Sequence, residues 1–177
     1  MMRVTQVLRG AGLCDMSFVD EAAMKRGTAV HLATELDDLG ELEESSVDPV
    51  VAPYLAGWRR FRTEMKPQIV TIEEKVSDLL AGYRGTLDRR VYLDNKHWVI
   101  DIKTGSPAPW HAIQLAGYAA VFTPNPRYRA GVYLPGDGSY RFVEYSDRQD
   151  YEVWRSALRI AKWRFAHGLY NIEEELK

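Results

Sequence analysis

The chain has 177 residues, of which 46% are hydrophobic and 27% charged, which is the composition of a folded globular domain and not of a disordered or collagen-like chain. Its 23 basic and 25 acidic residues give a formal net charge of -2, which argues against a polybasic coat for nucleic acid and allows only a local basic patch. The single cysteine, Cys14, excludes an internal disulfide and any site with two or more cysteine ligands. We expect a cytoplasmic protein with no secretory signal and no membrane span, because no apolar run approaches about 18 residues.

The first third of the chain is predicted to be helical. Ser17 with Asp20 resembles a capping box, and apolar residues recur at helical spacing after it, so the sequence predicts a helix over residues 17–39. Residues 40–52 are acidic and β-poor, which is typical of a surface loop. A second helix is expected over residues 53–65, with a proline in its first turn.

From residue 69 the apolar pattern changes to period two. This pattern predicts strands over 69–76, 83–93 and 97–103, then a helix over 109–122, and two short strands over 129–134 and 140–145. Ser146 or Asp147 can cap a long final helix. We therefore expect one α/β domain in which a small mixed β-sheet is flanked by helices. Its parts are a helical segment over residues 1–66, a β-sheet core over 67–145 and a C-terminal helix over 146–177.

The informative segment spans residues 82–105. Alternation along the strand HWVIDIK places Asp101 and Lys103 on one face, about 7 Å apart, and the tryptophan and both isoleucines on the other. If residues 94–95 form a two-residue hairpin turn, paired residues have numbers that sum to 189, and Asp88 lies opposite Asp101. A four-residue loop gives the same register, whereas a three-residue loop moves the partner by one position.

Two facing carboxylates require a neighbouring cation. At about 5 Å they repel by roughly 3 kcal/mol if the effective dielectric constant is about 20, and like charges directly across a sheet are destabilising. A divalent metal with oxygen ligands, Mg²⁺ or Mn²⁺, is the simplest answer, and Lys103 beside it would stabilise negative charge or orient a water. The alternative is a surface hairpin with solvated charges. The apolar neighbours of Asp101 favour a buried central strand instead, where unpaired ionisable residues are costly.

Four short elements follow one another in the sequence: RGTAVH at 26–31, GTLD at 85–88, IDIKTG at 100–105 and QLAGY at 114–118. In this order and spacing they resemble the G-x-x-x-H motif, motifs II and III, and the following helix of the PD-(D/E)XK nuclease superfamily, in its RecB-like exonuclease branch. The resemblance implies a restriction-endonuclease-like fold with an αβββαβ core. It also implies cleavage of DNA with the help of Mg²⁺ or Mn²⁺.

The resemblance assigns roles to individual residues. It implies that Lys103 is the catalytic lysine. The metal ligands that it implies are Asp88, Asp101, the backbone carbonyl of Ile102 and the imidazole of His31.

Further roles follow from the same resemblance. Gln114 and Tyr118 would organise the metal site or contact the DNA backbone. The family's additional acidic residue is best matched by Glu74, with Glu73 as the competitor. Some relatives hold an iron–sulfur cluster on four cysteines, and because this chain has only Cys14, we expect no such cluster.

Arginines outnumber lysines in the sequence, and several of them cluster. Arginine suits bidentate contact with phosphate, although such runs are also typical of solvated helix faces. The candidates for DNA binding are Arg59, Arg60, Arg84 and Arg89.

The resemblance implies a metal-dependent DNA nuclease, more specifically an exonuclease of recombination, repair or replication, encoded by a phage or prophage. Its implied partners are DNA and a single-strand annealing or recombination protein, and no membrane is expected. Three alternatives stay open. They are a catalytically silent DNA-binding or assembly protein on the same fold, a structure-specific or sequence-specific endonuclease, and a metal phosphatase for small substrates.

Overall fold

Across the residues that the computed structural model describes, 1–14, 20–126 and 128–171, five α-helices flank a six-stranded mixed sheet. The strands are β1 (Met2–Arg3), β2 (Gln68–Asp78), β3 (Tyr83–Leu93), β4 (Lys96–Lys103), β5 (Tyr128–Tyr133) and β6 (Arg141–Glu144). The helices are α1 (Val4–Gly10), α2 (Glu21–Leu39), α3 (Ala52–Met65), α4 (Pro109–Ala119) and α5 (Gln149–Ala166), and a 3₁₀ turn spans Glu44–Ser46. The predicted α/β class is therefore confirmed.

Strand β3 organises the sheet because it pairs along both of its edges. Strand β2 runs antiparallel to it over nearly its whole length. On the other edge, β1 pairs in parallel with Tyr83 and Arg84, and β4 pairs antiparallel with residues 89–93. Beyond β4, β5 is parallel and β6 antiparallel. Within the described part of the chain, residues 85–88 thus have no strand partner on that second edge, and the sheet has a gap there.

The β3–β4 hairpin has the predicted register. Val91 pairs with Trp98, and all the pairs of this ladder have numbers that sum to 189, as a two-residue turn requires. The turn residues Asp94 and Asn95 have φ angles of 50° and 58°. Both are in the left-handed conformation that a type I′ hairpin turn needs at its two central positions.

Two hydrophobic clusters lie on opposite faces of the sheet. On one face the strands pack against α1, α4 and α5, where Tyr83 meets Trp154 edge-on with ring centroids 5.0 Å apart. On the other face they pack against α2 and α3, where Trp58 stacks with Phe61. The alternation of β4 sends Val99 into the first cluster and its tryptophan and isoleucines into the second. Asp101 and Lys103 therefore project towards α4.

The ends of the chain differ in part from the sequence prediction. No element was expected before residue 17, but β1 and α1 lie there. Helix α2 begins at Glu21, where the Asp20 carboxylate accepts the N–H of Ala22 at 3.2 Å; Ser17, the predicted start, lies outside the described residues. At the start of α5, Asp147 accepts the N–H of Gln149 at 2.8 Å. None of the described helices is long and apolar enough to cross a membrane.

Candidate active site

The residues of the D-x-K pair lie side by side on β4, as the alternation predicts. Asp101 is only 3% exposed, and its Oδ2 lies 2.5 Å from Lys103 Nζ. That oxygen is buried and receives no well-directed hydrogen bond from any described residue. Burial raises the pKa of Asp101, and the nearby Lys103 partly opposes this rise. The carboxylate is thus ion-paired with Lys103, and its Oδ2 can still accept a hydrogen bond or bind a cation.

Helix α4 holds the ammonium group of Lys103 from the other side. Lys103 Nζ donates a hydrogen bond to Gln114 Oε1 at 3.0 Å, and Gln114 Nε2 donates to the Tyr118 hydroxyl at 3.3 Å. The two helical residues are four apart and therefore lie on one face. Both are buried. The structure thus brings the predicted Lys103, Gln114 and Tyr118 into one hydrogen-bonded row.

Asp88 lies where β3 parts from β4. The ladder ends at the pair Arg89 and Ile100, so Asp88 does not form the expected backbone pair with Asp101. Instead, Asp88 Oδ2 accepts the main-chain N–H of Ile102 at 2.6 Å. The carboxylate therefore takes the place of a strand carbonyl on a buried N–H.

The side-chain alternation of β3 is interrupted at the same residue. Leu87 packs in the cluster beneath α4, whereas the guanidinium of Arg89 lies over the Trp58 ring on the opposite face, 5.6 Å from its centroid. Residues two apart in a regular strand share a face. The strand consequently changes faces at Asp88, and this directs the carboxylate into the gap of the sheet.

A group of three possible ligands surrounds this gap. Ligand atoms of His31, Glu73 and Asp88 all lie within 4.8 Å of one another. His31 Nδ1, from α2, is 3.6 Å from Asp88 Oδ2. Glu73, from β2, has a left-handed φ of 47°. Burial, followed by repulsion from Asp88, raises the pKa of Glu73 to about 7.

Of the two candidates for the additional acidic residue, the structure brings Glu73 to His31 and Asp88, whereas the carboxylate of the preferred candidate, Glu74, is directed to Arg90. Glu74 Oε2 lies 2.5 Å from Arg90 Nε and also accepts the Thr71 hydroxyl at 2.7 Å, which occupies its carboxylate away from the group. The ladder between β2 and β3 shifts its register between residues 69 and 71, shortly before Glu73. The positive φ of Glu73 also breaks the regular strand geometry.

The donor set fits a divalent cation. Carboxylate oxygens are the ligands that Mg²⁺ and Mn²⁺ prefer, and an imidazole can complete such a set. Among the described residues, Asp101 belongs to no such group of three, and its carboxylate lies against Lys103. The Asp101 carboxylate nevertheless lies in the same buried region, because Asp88 accepts the main-chain N–H of the next residue in β4, Ile102. The carbonyl of Ile102 stays a predicted ligand.

A buried histidine supports the start of α4. His111 Nδ1 accepts the N–H of Ala108 at 3.2 Å and lies 2.7 Å from the Tyr133 hydroxyl, which in turn lies 2.6 Å from that of Tyr145. Burial lowers the pKa of His111 to about 4, and Lys103 contributes to this lowering. The imidazole is therefore neutral at pH 7. The sequence pattern did not predict the contacts of His111 with Tyr133 of β5, or of Tyr133 with Tyr145, which follows β6.

The four arginines proposed for DNA binding have different surroundings. The prediction that Arg89 contacts DNA is wrong, because this side chain is 0% exposed and its Nε lies 2.7 Å from Asp38 Oδ2. Arg59 is ion-paired with Asp37 and Glu44. Arg60 is ion-paired with Glu64 four residues later, at 2.7 Å. Arg84 is exposed and, among the described residues, has no acidic partner.

Arg84 lines a basic groove that extends along β3 to Thr86, two residues before Asp88. The groove has a volume of about 560 Å³ and has no acidic residue in its lining. Arg3 and Arg84 are direct neighbours across the parallel β1–β3 pair, and Lys75 neighbours Thr86 across β2 and β3. Like charges directly across a sheet destabilise it, so this surface favours an anionic ligand. Tyr118 forms part of its wall. Sequence reasoning missed Arg3 because β1 was not predicted.

Solved structures of exonucleases share the fold of this chain. LHK-Exo, an alkaline exonuclease from Laribacter hongkongensis, has a TM-score of 0.54 and 13% identity over 95% of this chain and 89% of its own. Its complex with dAMP gives a TM-score of 0.54 and 14% identity over the same shares. A protein from Eubacterium rectale named as an inferred exonuclease has a TM-score of 0.57 and 13% identity, covering 96% of this chain and 82% of its own.

The likeness is structural only. No protein-family model matches the chain, and no curated protein matches its sequence. At 13–14% identity the comparison shows a common fold. This chain therefore has the fold of known nucleases, and that fold is consistent with the PD-(D/E)XK architecture that the sequence motifs resemble.

Proposed function

We propose that the chain is a metal-dependent deoxyribonuclease that hydrolyses phosphodiester bonds, and that it acts as an exonuclease. The observation that carries this proposal is the convergence of Asp88, Asp101 and Lys103 at a gap in the sheet, beside His31 and Glu73. Apart from Glu73, these residues belong to three of the four sequence motifs, which lie on α2, β3 and β4, and the fourth motif, on α4, supplies Gln114 beside Lys103. The named activity of LHK-Exo, which has the same fold, supports the same reading.

The residues that would hold the cation are His31, Glu73, Asp88 and, by prediction, Asp101 and the carbonyl of Ile102. The chemistry that a divalent cation supplies in such a site is polarisation of the phosphoryl oxygens and activation of a water for attack. Mg²⁺ and Mn²⁺ suit the oxygen-rich donors best. No iron–sulfur cluster is proposed, since one cysteine cannot hold it.

Lys103 is the cation that the chain itself brings to the reacting phosphate. Gln114 fixes the direction of its ammonium group through a 3.0 Å hydrogen bond, and Tyr118 fixes Gln114. A preorganised ammonium group stabilises negative charge as it develops on the phosphate oxygens, and it can also orient the attacking water. Gln114 and Tyr118 therefore act by positioning Lys103.

The substrate strand is proposed to lie in the basic groove. Asp88 and Asp101 are 7% and 3% exposed, so a scissile phosphate must enter a narrow gap, and a single strand fits such a gap better than a duplex. Arg3, Lys75 and Arg84 would neutralise the phosphates that precede or follow it. Arg59 and Arg60 stay candidates for outer contacts, although each must first leave an acidic partner.

The biological setting is proposed from the sequence resemblance. It favours recombination, repair or replication, a phage or prophage origin, and a single-strand annealing or recombination protein as a partner. The complex of LHK-Exo with dAMP supports a nucleotide product for a protein of this fold. None of these settings changes the chemistry of the site.

A nuclease assay tests the proposal. Purified protein is incubated with linear single-stranded, linear duplex and circular DNA, in Mg²⁺, Mn²⁺ or EDTA. We expect degradation of linear DNA only, full inhibition by EDTA, and loss of activity in Asp101→Ala and Lys103→Ala. Cleavage of circular DNA would instead identify an endonuclease. Absence of cleavage with either metal would reject the proposal and leave a silent DNA-binding protein. Full activity in both variants would reject Asp101 and Lys103 as the catalytic pair.

A further inference from the structure

Arg89 is a fully buried cation that directly follows Asp88 in β3. Its Nε donates to Asp38 Oδ2 in α2 at 2.7 Å. Its Nη1 donates to Glu73 Oε1 at 3.2 Å and to the main-chain oxygen of Asp88 at 2.7 Å. One guanidinium therefore contacts both strand residues of the candidate metal group and also the helix that faces them.

The same side chain reaches the turn of α2 that carries His31. Arg89 Nη2 donates to the Thr34 hydroxyl oxygen at 3.4 Å, and that hydroxyl donates to the carbonyl of His31 at 2.9 Å. Asp38 lies one turn further along the helix. All three nitrogens of the guanidinium are thus used, and each of them points at an element that bears a member of the group.

A general contribution to stability does not explain this arrangement. Exchanging a buried ion pair for apolar residues of similar volume is often neutral or stabilising, so burial of an arginine among carboxylates needs another reason. Glu73 has three rotatable side-chain bonds and a left-handed backbone, and Arg89 is the cation that fixes its carboxylate. A planar guanidinium with donors in fixed directions holds several oxygens in one geometry, which a lysine does not.

We propose that Arg89 is a positioning residue that sets Glu73, Asp88 and, through Thr34, His31 in the arrangement that binds the divalent cation. The inference rests on the proposed function in taking this group as the metal site. Partners that orient metal ligands typically contribute 10–100-fold, as an order of magnitude, to metal affinity. The role concerns metal binding itself, so it is measurable without DNA and without turnover.

The experiment measures the Mn²⁺ dissociation constant of the full chain by electron paramagnetic resonance or calorimetry, with urea unfolding of each variant in parallel. Arg89→Lys keeps the positive charge but loses the planar set of guanidinium donors. We expect the Mn²⁺ dissociation constant of this variant to rise about 10-fold. Arg89→Met is expected to bind more weakly still. Asp38→Asn weakens the anchor of Arg89 without touching the metal group, and a rise of at least about threefold is expected.

Arg62→Gln is the matched control. Arg62 lies 2.8 Å from the same Asp38 carboxylate but makes no described contact with Glu73, Asp88 or Thr34. Its loss removes an ion pair of Asp38 and leaves Arg89 in place, so Mn²⁺ affinity is expected to stay within about twofold of the wild type.

Each outcome has a distinct meaning. Folded Arg89→Lys and Asp38→Asn variants that bind Mn²⁺ within twofold of the wild type would overturn the positioning role and leave the proposed function intact. Equal weakening in Arg62→Gln would also overturn it, because the effect would then belong to α2 as a whole. Wild-type protein that binds no Mn²⁺ would reject the metal site itself. If Arg89→Lys does not fold, Asp38→Asn decides, since Trp58 Nε1 still donates to that side chain at 3.0 Å.

Discussion

Asp88 accepts the main-chain N–H of Ile102 at 2.6 Å, at the residue where β3 ceases to pair with β4. The same carboxylate lies 3.6 Å from His31 Nδ1. It therefore satisfies a buried backbone donor and contributes to the candidate metal group at once. Because of these two roles, Asp88→Ala and Asp88→Asn should differ in their effects on stability.

Asp88→Ala is expected to destabilise the fold even without metal. The N–H of Ile102 would be buried with no acceptor, which costs about 1–3 kcal/mol of the free energy of unfolding. Asp88→Asn keeps a carbonyl oxygen at this position and should lose less than about 1 kcal/mol. Both variants should lose Mn²⁺ binding. Urea unfolding in EDTA checks the difference, and equal stability of the two variants would contradict the role of this hydrogen bond.

Glu73→Gln should weaken metal binding, whereas Glu74→Gln should leave it unchanged. Glu73 lies within 4.8 Å of His31 and Asp88, so its loss should weaken Mn²⁺ binding about 10-fold. Glu74 is paired with Arg90, so its loss should leave the Mn²⁺ dissociation constant unchanged. Calorimetric titration of both variants measures this. A stronger effect at Glu74 would restore the original match from sequence.

Gln114→Leu should lower the turnover rate and spare metal binding. Lys103 loses the hydrogen bond that directs its ammonium group, and a hydrogen bond to a charged group contributes about 1.5–3 kcal/mol. We therefore expect kcat to fall at least about 10-fold, with the Mn²⁺ dissociation constant unchanged. Tyr118→Phe should have a smaller effect, because Tyr118 contacts Gln114 and not Lys103. A parallel loss of Mn²⁺ affinity would place Gln114 in the metal site instead.

His111 should lower stability in mild acid, whereas Glu73, whose pKa is raised to about 7, should have the opposite effect. Burial lowers the pKa of His111 to about 4, so the folded protein holds a neutral imidazole whereas the unfolded chain takes up a proton near pH 6.5. The stabilisation is therefore complete above about pH 6.5 and is lost as the pH falls towards 4. Between pH 7 and pH 5 we expect His111 to contribute a loss of roughly 1–2 kcal/mol to the free energy of unfolding, measured as the difference in pH dependence between the wild type and His111→Gln. In His111→Gln this part of the pH dependence should vanish, and an unchanged slope would contradict the assignment.

Two glycines in helices should respond to alanine with opposite signs. Helix propensity alone favours alanine by about 1 kcal/mol. A Cβ on Gly57 in α3 would lie 2.3 Å from the main-chain oxygen of Ser139, so Gly57→Ala should destabilise by about 1–3 kcal/mol. A Cβ on Gly27 in α2 meets only the Thr104 hydroxyl at 3.6 Å, and Gly27→Ala should be stabilising. Thermal unfolding of both variants checks the signs.

The hairpin of β3 and β4 was predictable from sequence because its information is local. A two-residue turn with Asp94 and Asn95 determines the register, and the period-two pattern determines the faces of Asp101 and Lys103. Both predictions are confirmed. A place for Gln114 near Lys103 was suggested by the family resemblance.

The choice of Glu73 and the burial of Arg89 were not predictable in this way. Glu73 depends on a shift in the ladder between β2 and β3 and on a positive φ, and neither has a signal in alternation. Arg89 is buried because Asp38, 51 residues earlier in the chain, supplies its counter-charge. A cluster of arginines in a strand predicts an exposed basic surface only if no distant carboxylate meets it.

The change of faces in β3 has a consequence for folding as well. Leu87 packs in the hydrophobic cluster beneath α4, and Arg89 packs on the opposite face, beneath α2. Asp88 therefore lies between two hydrophobic clusters that share strand β3. Such units commonly open separately in native-state hydrogen exchange. Loss of Asp88 should therefore uncouple the amide protection of the two halves. The proposed metal site and the cooperativity of folding would then depend on the same carboxylate.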